Sequence, residues 1–239
     1  MSTLSLFDAG REAPDALALF DGAEALSFSA LAARCLPLVS ALQAARPPVL
    51  ALTPLADTPS LLWIYAALAT GTPLLTLHPR ATAAERRAAC DLTGALETES
   101  IQLPRGAYRL EALADPSPEA TALLIPTSGS TGAPRLVELS RRAVLASAAA
   151  SAQNLGWEPN DVWLLCLPLA HTGGLSIVTR TLLARRSLRL FEPGAGGLTA
   201  RLPERVAALQ QSTLVSLVPS VLTALLGAPA PGFTDFTAA

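Results

Sequence analysis

Lysine is missing from this chain of 239 residues, and only two histidines and one methionine occur. All 17 positively charged side chains are arginines. The Walker-type phosphate loop is excluded, because its G-x-x-x-x-G-K-[ST] pattern requires a lysine. The G-x-G-x-x-G fingerprint of dinucleotide-binding folds is also absent. A nucleotide site in this chain must therefore use another kind of loop.

Cysteine and charge are sparse as well. The three cysteines, Cys35, Cys90 and Cys166, are widely spaced and form no CxxC pair, and the two histidines have no metal-ligand spacing. The odd cysteine count and the lack of a secretory leader pattern favour reduced thiols in a cytoplasmic protein. A net charge of -2 with 15% charged residues argues against a nucleic-acid partner, which would require a basic face.

Long uninterrupted apolar runs are missing too. Two uncharged stretches, 58–79 and 206–234, are the only ones long enough to consider as membrane spans. Gly71 and Pro73 interrupt the first stretch, and three prolines interrupt the second. A spanning helix needs about 20 consecutive apolar residues. We therefore expect buried strands and helices in both stretches, and no membrane partner.

Short apolar runs alternate with Ala- and Leu-rich segments of helix length. Strands are predicted at 49–52, 73–77, 122–125, 136–139, 162–166, 187–191 and 214–217. Helices are predicted at 58–71, with Thr58 as N-cap, at 82–94, 140–156 and 199–210, after His171 and from Pro219. Such alternation is typical of β-α units, so the sequence predicts an α/β fold with parallel-rich sheets flanked by helices. The two arginine pairs, Arg141-Arg142 and Arg185-Arg186, are predicted to be solvated helix ends.

The richest motif is TSGSTGAPR, which follows the apolar run at 122–125. Gly129 and Gly132 allow positive φ angles and a close approach to a ligand, and backbone N–H groups freed there can converge on an anion. Further donors are the hydroxyls and the guanidinium of Thr127, Ser128, Ser130, Thr131 and Arg135. The pattern predicts a phosphate-binding loop, and the residues alone leave a polar surface turn as the alternative.

A second motif, CLPLAHTGGLSI, spans 166–177. Ligands of parallel sheets gather at the carboxyl ends of strands, so this motif and the loop are expected side by side on one rim. TSGSTGxP followed by LPLxHxGG resembles the adenylate-forming superfamily of acyl-CoA synthetases. Within it the chain is most similar to the o-succinylbenzoate–CoA ligases of menaquinone biosynthesis. Upstream, PDALALFDGAEALSFSALAARC is similar to the family's opening strand pair and first helix.

The resemblance implies a role for each matching residue. Arg135 takes the place of the loop lysine and keeps its charge, whereas Leu136 replaces a family glycine. His171 matches the histidine that lines the acyl pocket in relatives, and Gly173 stands where o-succinylbenzoate ligases often carry serine. The implied site comprises the catalytic His171, the phosphate-binding Thr127, Ser128, Gly129, Ser130, Thr131, Gly132 and Arg135, the pocket residues Thr172, Gly173 and Gly174, and magnesium at Thr131.

The reaction implied by the resemblance has two halves. A carboxylate attacks the α-phosphate of ATP, giving an acyl-adenylate and pyrophosphate, and the thiol of CoA then attacks the acyl carbon. The cofactors and co-substrates implied are ATP, Mg²⁺ and CoA. Donors gathered around the transferring phosphate would stabilise its developing charge.

The likeness covers 1–226, which implies a partial N-terminal adenylation domain, with 227–239 as an irregular tail and the C-terminal lysine-bearing domain absent. We therefore expect little or no activity from this chain alone, and a homo-oligomer or a complementing chain as a possible partner. Two alternatives remain open. One is a non-catalytic nucleotide-binding or interaction module of the same fold, and the other is an unrelated α/β scaffold.

Overall fold

The computed structural model describes residues 3–104, 113, 116–127, 135–191, 207–219 and 222–223. The strands are β1 (Leu17–Asp21), β2 (Glu24–Ser27), β3 (Leu50–Leu52), β4 (Leu74–Thr76), β5 (Leu96–Glu97), β6 (Thr121–Thr127), β7 (Arg135–Ser140), β8 (Val162–Leu165), β9 (Ser187–Leu190) and β10 (Leu214–Val215). The helices are α1 (Leu6–Glu12), α2 (Phe28–Ala45), α3 (Thr58–Thr70), α4 (Ala83–Thr93), α5 (Arg141–Leu155) and α6 (Thr172–Ala184).

The strands form two five-stranded sheets. The first sheet has the order β10-β8-β9-β1-β2, and the second has the order β5-β3-β4-β6-β7. Among the described strands, every pair is parallel except β1–β2 and β6–β7. The antiparallel pairs lie at one edge of each sheet, where a short hairpin connection is possible. The predicted α/β fold with parallel-rich sheets is confirmed.

A layer of helices lies between the two sheets. Helices α2 and α6 pack on strands of the first sheet, whereas α3 and α5 pack on strands of the second. Across the layer, α2 packs on α3 and α5 packs on α6. One hydrophobic cluster contains buried residues from both sheets and from these helices. The largest core of the protein therefore joins the two sheets through their shared helices.

Side-chain alternation along the short strands separates the faces of the second sheet. Leu50 and Leu52 face the central core, while Val49 and Ala51 pack on the other face with Ala89 of α4. Because both faces of these strands are covered, residues at consecutive positions are buried and apolar. This explains why the predicted strands are continuous apolar runs instead of alternating ones.

The helix ends follow the predicted signals with one exception. Thr82 and Glu85 form the predicted capping box of α4. The prediction of Thr58 as N-cap of α3 is wrong, because the carboxylate of Asp57 accepts the backbone N–H of Ser60 at 2.8 Å instead. The hydroxyl of Thr58 is engaged elsewhere, donating to Oδ2 of Asp21 at 2.6 Å. It thereby ties the start of α3 to the end of β1.

The predictions about the arginine pairs need correction at one residue of each pair. Arg141 is buried, and its Nη1–H donates to the carbonyl of Leu68 at 2.7 Å, joining the start of α5 to α3. The guanidinium of Arg185 pairs with Glu12 at 2.9 Å. These side chains have long apolar stems that can be buried while their charged ends find partners within the fold. Arg141 and Arg185 therefore contribute to packing between helices, which the sequence did not indicate, whereas Arg142 is exposed as predicted.

One helix, α2, is long and apolar enough to cross a membrane by length and composition. The same composition suits a core helix. Four of its residues on the buried side, Leu31, Cys35, Val39 and Leu42, are nearly inaccessible and belong to the central cluster. Of the two stretches considered as spans, 58–79 contains α3 and β4. Of the predicted helix 199–210, residues 207–210 are helical and the rest lie outside the described residues.

Burial predicts the reactivity of the cysteines. Desolvation raises the pKa of Cys35 to about 12. We expect native Cys35 to react with a thiol reagent at least about a thousandfold more slowly than an ordinary cysteine, because the thiolate is the nucleophile. Cys90 is only partly buried and should react first. The rate of thiol labelling before and after denaturation measures this difference, and Cys90→Ser removes the signal of the more accessible Cys90. Stoichiometric labelling of native Cys35 would contradict the buried position of α2.

Candidate active site

The loop rich in hydroxyls and glycines connects the two strands of an antiparallel hairpin. Thr127 ends β6 and is paired with Arg135, which begins β7. The Thr127 hydroxyl donates to the Arg135 carbonyl at 3.2 Å, and both residues are exposed. Residues 128–134 lie outside the described part of the chain. The assignment of magnesium to Thr131 therefore stays a prediction. So do the phosphate ligands predicted in this segment, which are Ser128, Gly129, Ser130, Thr131 and Gly132.

The fold delivers both ends of this loop to the carboxyl edge of the second sheet. The middle of β6, residues 122–125, is buried and pairs in parallel with β4. A strand buried in this way directs the chain that follows it out of the sheet edge, where ligands of parallel sheets gather. The exposed guanidinium-bearing Arg135 lies at the base of the loop. A nucleotide phosphate at this edge would meet a fixed positive charge.

The second motif forms the turn between β8 and α6. His171 is the N-cap residue of α6, and its backbone N–H donates to the Pro168 carbonyl at 3.2 Å. Its side chain makes no capping hydrogen bond and is exposed. A Cβ atom at Gly174 would lie 2.4 Å from the Pro168 carbonyl oxygen, so only glycine allows α6 this close to the turn. The glycine therefore sets the position of His171 relative to the start of the helix.

The turn is also fastened to the second sheet. The buried hydroxyl of Thr76, at the end of β4, donates to the Ala170 carbonyl at 3.3 Å. Two residues further, the ring of His78 lies against the ring of His171, with centroids 5.3 Å apart. Burial lowers the pKa of His78, and the neighbouring His171 and Arg80 lower it further. The two sheets thus bring a pair of imidazoles together at their carboxyl edges.

Because β4 neighbours β6, the imidazole pair lies beside the strand that carries the loop. The prediction of one shared rim therefore needs a refinement. The turn follows a strand of the first sheet and the loop follows a strand of the second, and contacts between β4 and the turn join the two edges. The sequence could not indicate this, because periodicity does not say which strands share a sheet.

Two concave spaces run between α5 and α6. A small cavity of about 180 Å³ is lined by Thr172, Ser176 and Thr179 on one face of α6 and by apolar residues of β6, β7 and α5. A larger space of about 660 Å³, the α5–α6 groove, has walls that include Leu145, Ala149, Trp157, Leu183 and Arg180. Its size lies within the range of small-molecule pockets, about 300–1,000 Å³.

Two arginines, Arg142 and Arg180, line the groove, and Arg180 is the more buried of them. Its guanidinium lies over the ring of Trp163 at 5.6 Å, and burial lowers its pKa. Its Nε is buried and has no hydrogen-bond partner in the described residues. A buried donor without an acceptor is unfavourable by about 1–3 kcal/mol.

The structure places the predicted pocket residues and adds others. Thr172 lines the small cavity, whereas Gly173 and Gly174 form the first turn of α6. His78 and Arg180 were not predicted as site residues. His78 follows the predicted strand 73–77, so its place at a carboxyl strand end was a usable signal. Arg180 is eight positions after Thr172, about 12 Å further along α6, so the motif gave no signal for it.

Among the described residues, no group of three or more His, Cys, Asp and Glu side chains could hold a metal ion. Magnesium would therefore have to bind together with the nucleotide. Mg²⁺ usually keeps several waters and binds through phosphates and one or two protein oxygens. The hydroxyl-rich sequence between Thr127 and Arg135 suits a magnesium–nucleotide complex.

Residues 92–238 match the family described as AMP-binding enzyme. The chain belongs to this family. Over 118 residues it is 36% identical to the 2-succinylbenzoate–CoA ligase of Enterococcus faecalis, covering 48% of this chain and 23% of that protein. Over 108 residues it is 34% identical to the same ligase of Bacillus mycoides, covering 45% and 22%. The matches thus span less than a quarter of these relatives.

Solved structures show the same fold in this family. Bacillus subtilis MenE, an o-succinylbenzoate–CoA synthetase, in complex with AMP superposes with a TM-score of 0.82 at 21% identity, covering 97% of this chain and 65% of that one. An Arg-to-Lys variant of E. coli MenE with bound OSB-AMS gives 0.76 at 25% identity, covering 95% and 52%. The two-sheet architecture is therefore that of the MenE N-terminal domain. Membership in the family rules out the unrelated scaffold.

Proposed function

We propose that this chain carries the nucleotide- and acyl-binding part of an ATP-dependent carboxylic acid–CoA ligase, with o-succinylbenzoate as its acid. The observation that supports this most is the junction of the two sheets. There the hairpin loop that begins at Thr127 emerges next to β4, and β4 contacts the turn bearing His171. Nucleotide and acyl group would then meet between one loop and one helix start.

The first chemical step would occur at this junction. A carboxylate oxygen of the acid forms a bond to the α-phosphorus of ATP, while the bond from that phosphorus to the pyrophosphate oxygen breaks. The loop hydroxyls, its backbone N–H groups and Arg135 would hold the phosphates, and magnesium bound with the nucleotide would neutralise charge on the phosphate oxygens. In the second step the sulfur of CoA attacks the acyl carbon and AMP leaves.

The groove between α5 and α6 supports an aromatic acid with a second anionic group. Its walls are apolar side chains and the ring of Trp157, which suit an aromatic body. Arg142 and Arg180 supply positive charge in its wall. o-Succinylbenzoate has both parts, since one carboxylate reacts and another remains. In relatives the bound ligands are AMP, ATP with magnesium, and OSB-AMP.

Arg180→Met tests the groove. Methionine keeps the apolar stem and removes the charge, so the variant should bind OSB-AMS about tenfold more weakly while its affinity for AMP stays unchanged, given about 1.5–3 kcal/mol for a hydrogen bond to a charged group. Calorimetry with both ligands measures the difference. Equal losses for OSB-AMS and AMP, or none, would contradict an acyl group in the groove.

A non-catalytic nucleotide-binding module is the second candidate, since Arg135 and Leu136 stand where the family carries its loop lysine and glycine. ATP titration and pyrophosphate release in the presence of CoA and o-succinylbenzoate separate the two. Saturable binding with release above background supports the ligase, and saturable binding without release supports the module. No saturable binding would contradict both.

A further inference from the structure

The chain has two histidines, and the fold brings both to the same place. His78 follows β4 of the second sheet, and His171 precedes α6 beside the first sheet. Their rings are 5.3 Å apart at the centroids and tilted by 38°. Residues so far apart in sequence meet only because the two sheets are held together. The meeting point is also the edge at which the nucleotide loop and the start of α6 come together.

A hydrogen bond restrains the ring of His78, whereas no capping hydrogen bond restrains the side chain of His171. The backbone N–H of Arg80 donates to Nδ1 of His78 at 3.0 Å. His171 is exposed and its side chain does not cap α6. The backbone of its turn is fastened by Thr76, but that contact does not orient the imidazole. Among the described residues, the ring of His78 is the aromatic contact of the His171 side chain.

The hydrogen bond from the backbone N–H of Arg80 also determines which ring nitrogen of neutral His78 carries hydrogen. A neutral imidazole has one nitrogen that accepts and one that carries hydrogen. Because Nδ1 accepts, Nε2 carries the hydrogen and has no lone pair for a metal. A two-histidine metal site would have to break this hydrogen bond. The arrangement favours a contact between two neutral rings.

We propose that His78 is a positioning residue that orients the imidazole of His171 where the carboxyl edges of the two sheets meet. Only the expected effect of His78 on ligand binding rests on the proposed function. His78 does not itself need to touch the substrate. Its effect reaches the site through the orientation of His171, so loss of the ring should weaken ligand binding moderately and leave the fold intact.

The contact should depend on pH, and the charges around it give the direction. Arg80 and Arg86 lie in the segment that follows His78, and Arg86 donates to the carbonyl of Ala81. From the other side, residues 166–179 contain no Asp, Glu or Arg. Burial, His171 and Arg80 lower the pKa of His78. The ring is therefore neutral at pH 7 and gains charge only when the pH falls through this lowered pKa.

Nuclear magnetic resonance can test the contact directly, because the chain has only two imidazoles to observe. We expect a nuclear Overhauser cross-peak between the two rings at pH 7.5, and its loss in acid as the protonated His78 is repelled. In His78→Ala the His171 resonances should move towards random-coil positions. His78→Phe should retain most of their dispersion, since it keeps a ring. Arg87→Gln, a change at an exposed position of α4, should leave both rings unchanged.

Reciprocal substitution adds a second readout. In His171→Gln the pKa of His78 should rise but stay below its ordinary value, because burial is the larger cause and remains. A missing cross-peak in the native protein, or His171 resonances unchanged in His78→Ala, would overturn the proposal. Neither result depends on any ligand.

Ligand binding separates this proposal from the proposed function. OSB-AMS should bind His78→Ala about fivefold more weakly than the native chain, the order of a modest orientation effect, and His78→Phe should recover most of that loss. If the native chain does not bind OSB-AMS but the ring contact is present, the proposed function fails and the positioning role stands. If OSB-AMS binds equally to native protein and His78→Ala, the positioning role fails alone.

Discussion

Gly174→Ala is expected to lower the free energy of unfolding by about 2 kcal/mol, the order found when atoms are forced into a well-packed region. The new Cβ would lie 2.4 Å from the carbonyl oxygen of Pro168 and 2.7 Å from its carbonyl carbon. Both are backbone atoms and cannot swing away as a flexible side chain can. The β8–α6 turn or the helix start must move, and His171 lies between them.

The neighbouring glycine provides a matched control. Gly173 lies in the same helical turn, but its added Cβ would meet only a terminal methyl group, Cδ1 of Leu167, at 3.1 Å. Glycine to alanine raises helix propensity by up to about 1 kcal/mol at either position. Urea unfolding should therefore show Gly173→Ala near neutral and Gly174→Ala clearly destabilised. Equal stabilities would mean that α6 does not sit against the turn as described.

The second large effect is expected at the hairpin loop. Replacing Ser128 and Thr131 together by alanine should weaken ATP binding about 100-fold, because each hydrogen bond to a charged group is worth about 1.5–3 kcal/mol. The substitutions leave the described residues of β6 and β7 unchanged. Thr127 and Arg135 would still pair, and β6 would stay buried. The variant should therefore melt at the same temperature as the native chain.

A double substitution elsewhere controls for the loss of two hydroxyls. Thr98→Ala with Ser100→Ala makes the same chemical changes in a short helical turn between β5 and β6. Titration calorimetry with ATP and magnesium should show native affinity for this control. Unchanged affinity of the Ser128/Thr131 variant would show that the loop hydroxyls do not hold phosphate.

The elements of the fold were largely predictable because local signals and packing agree. The strand at 122–125 is an apolar run buried on both faces, and α4 has its complete capping box, so both were found within a residue or two. Asp57 displaced Thr58 as N-cap because a tertiary partner, Asp21, engages the Thr58 hydroxyl. Such competition depends on contacts between distant segments, which a local pattern does not contain.

The candidate site was only partly predictable for the same reason. Motifs indicated the loop and His171, since their chemistry is local. His78 and Arg180 gained their importance from neighbours supplied by other elements, a second imidazole in one case and the groove in the other. Arg141 was misjudged because its partner is a carbonyl of α3. Sequence patterns give the residue types, and the fold decides which of them meet.

The most direct test of the account is a crystal structure of the chain grown with ATP and magnesium. The account predicts triphosphate oxygens within about 3 Å of donors in the loop between β6 and β7, with the α-phosphate directed towards His171 and the start of α6. A nucleotide bound elsewhere, or a loop folded so that no phosphate can approach it, would contradict the account.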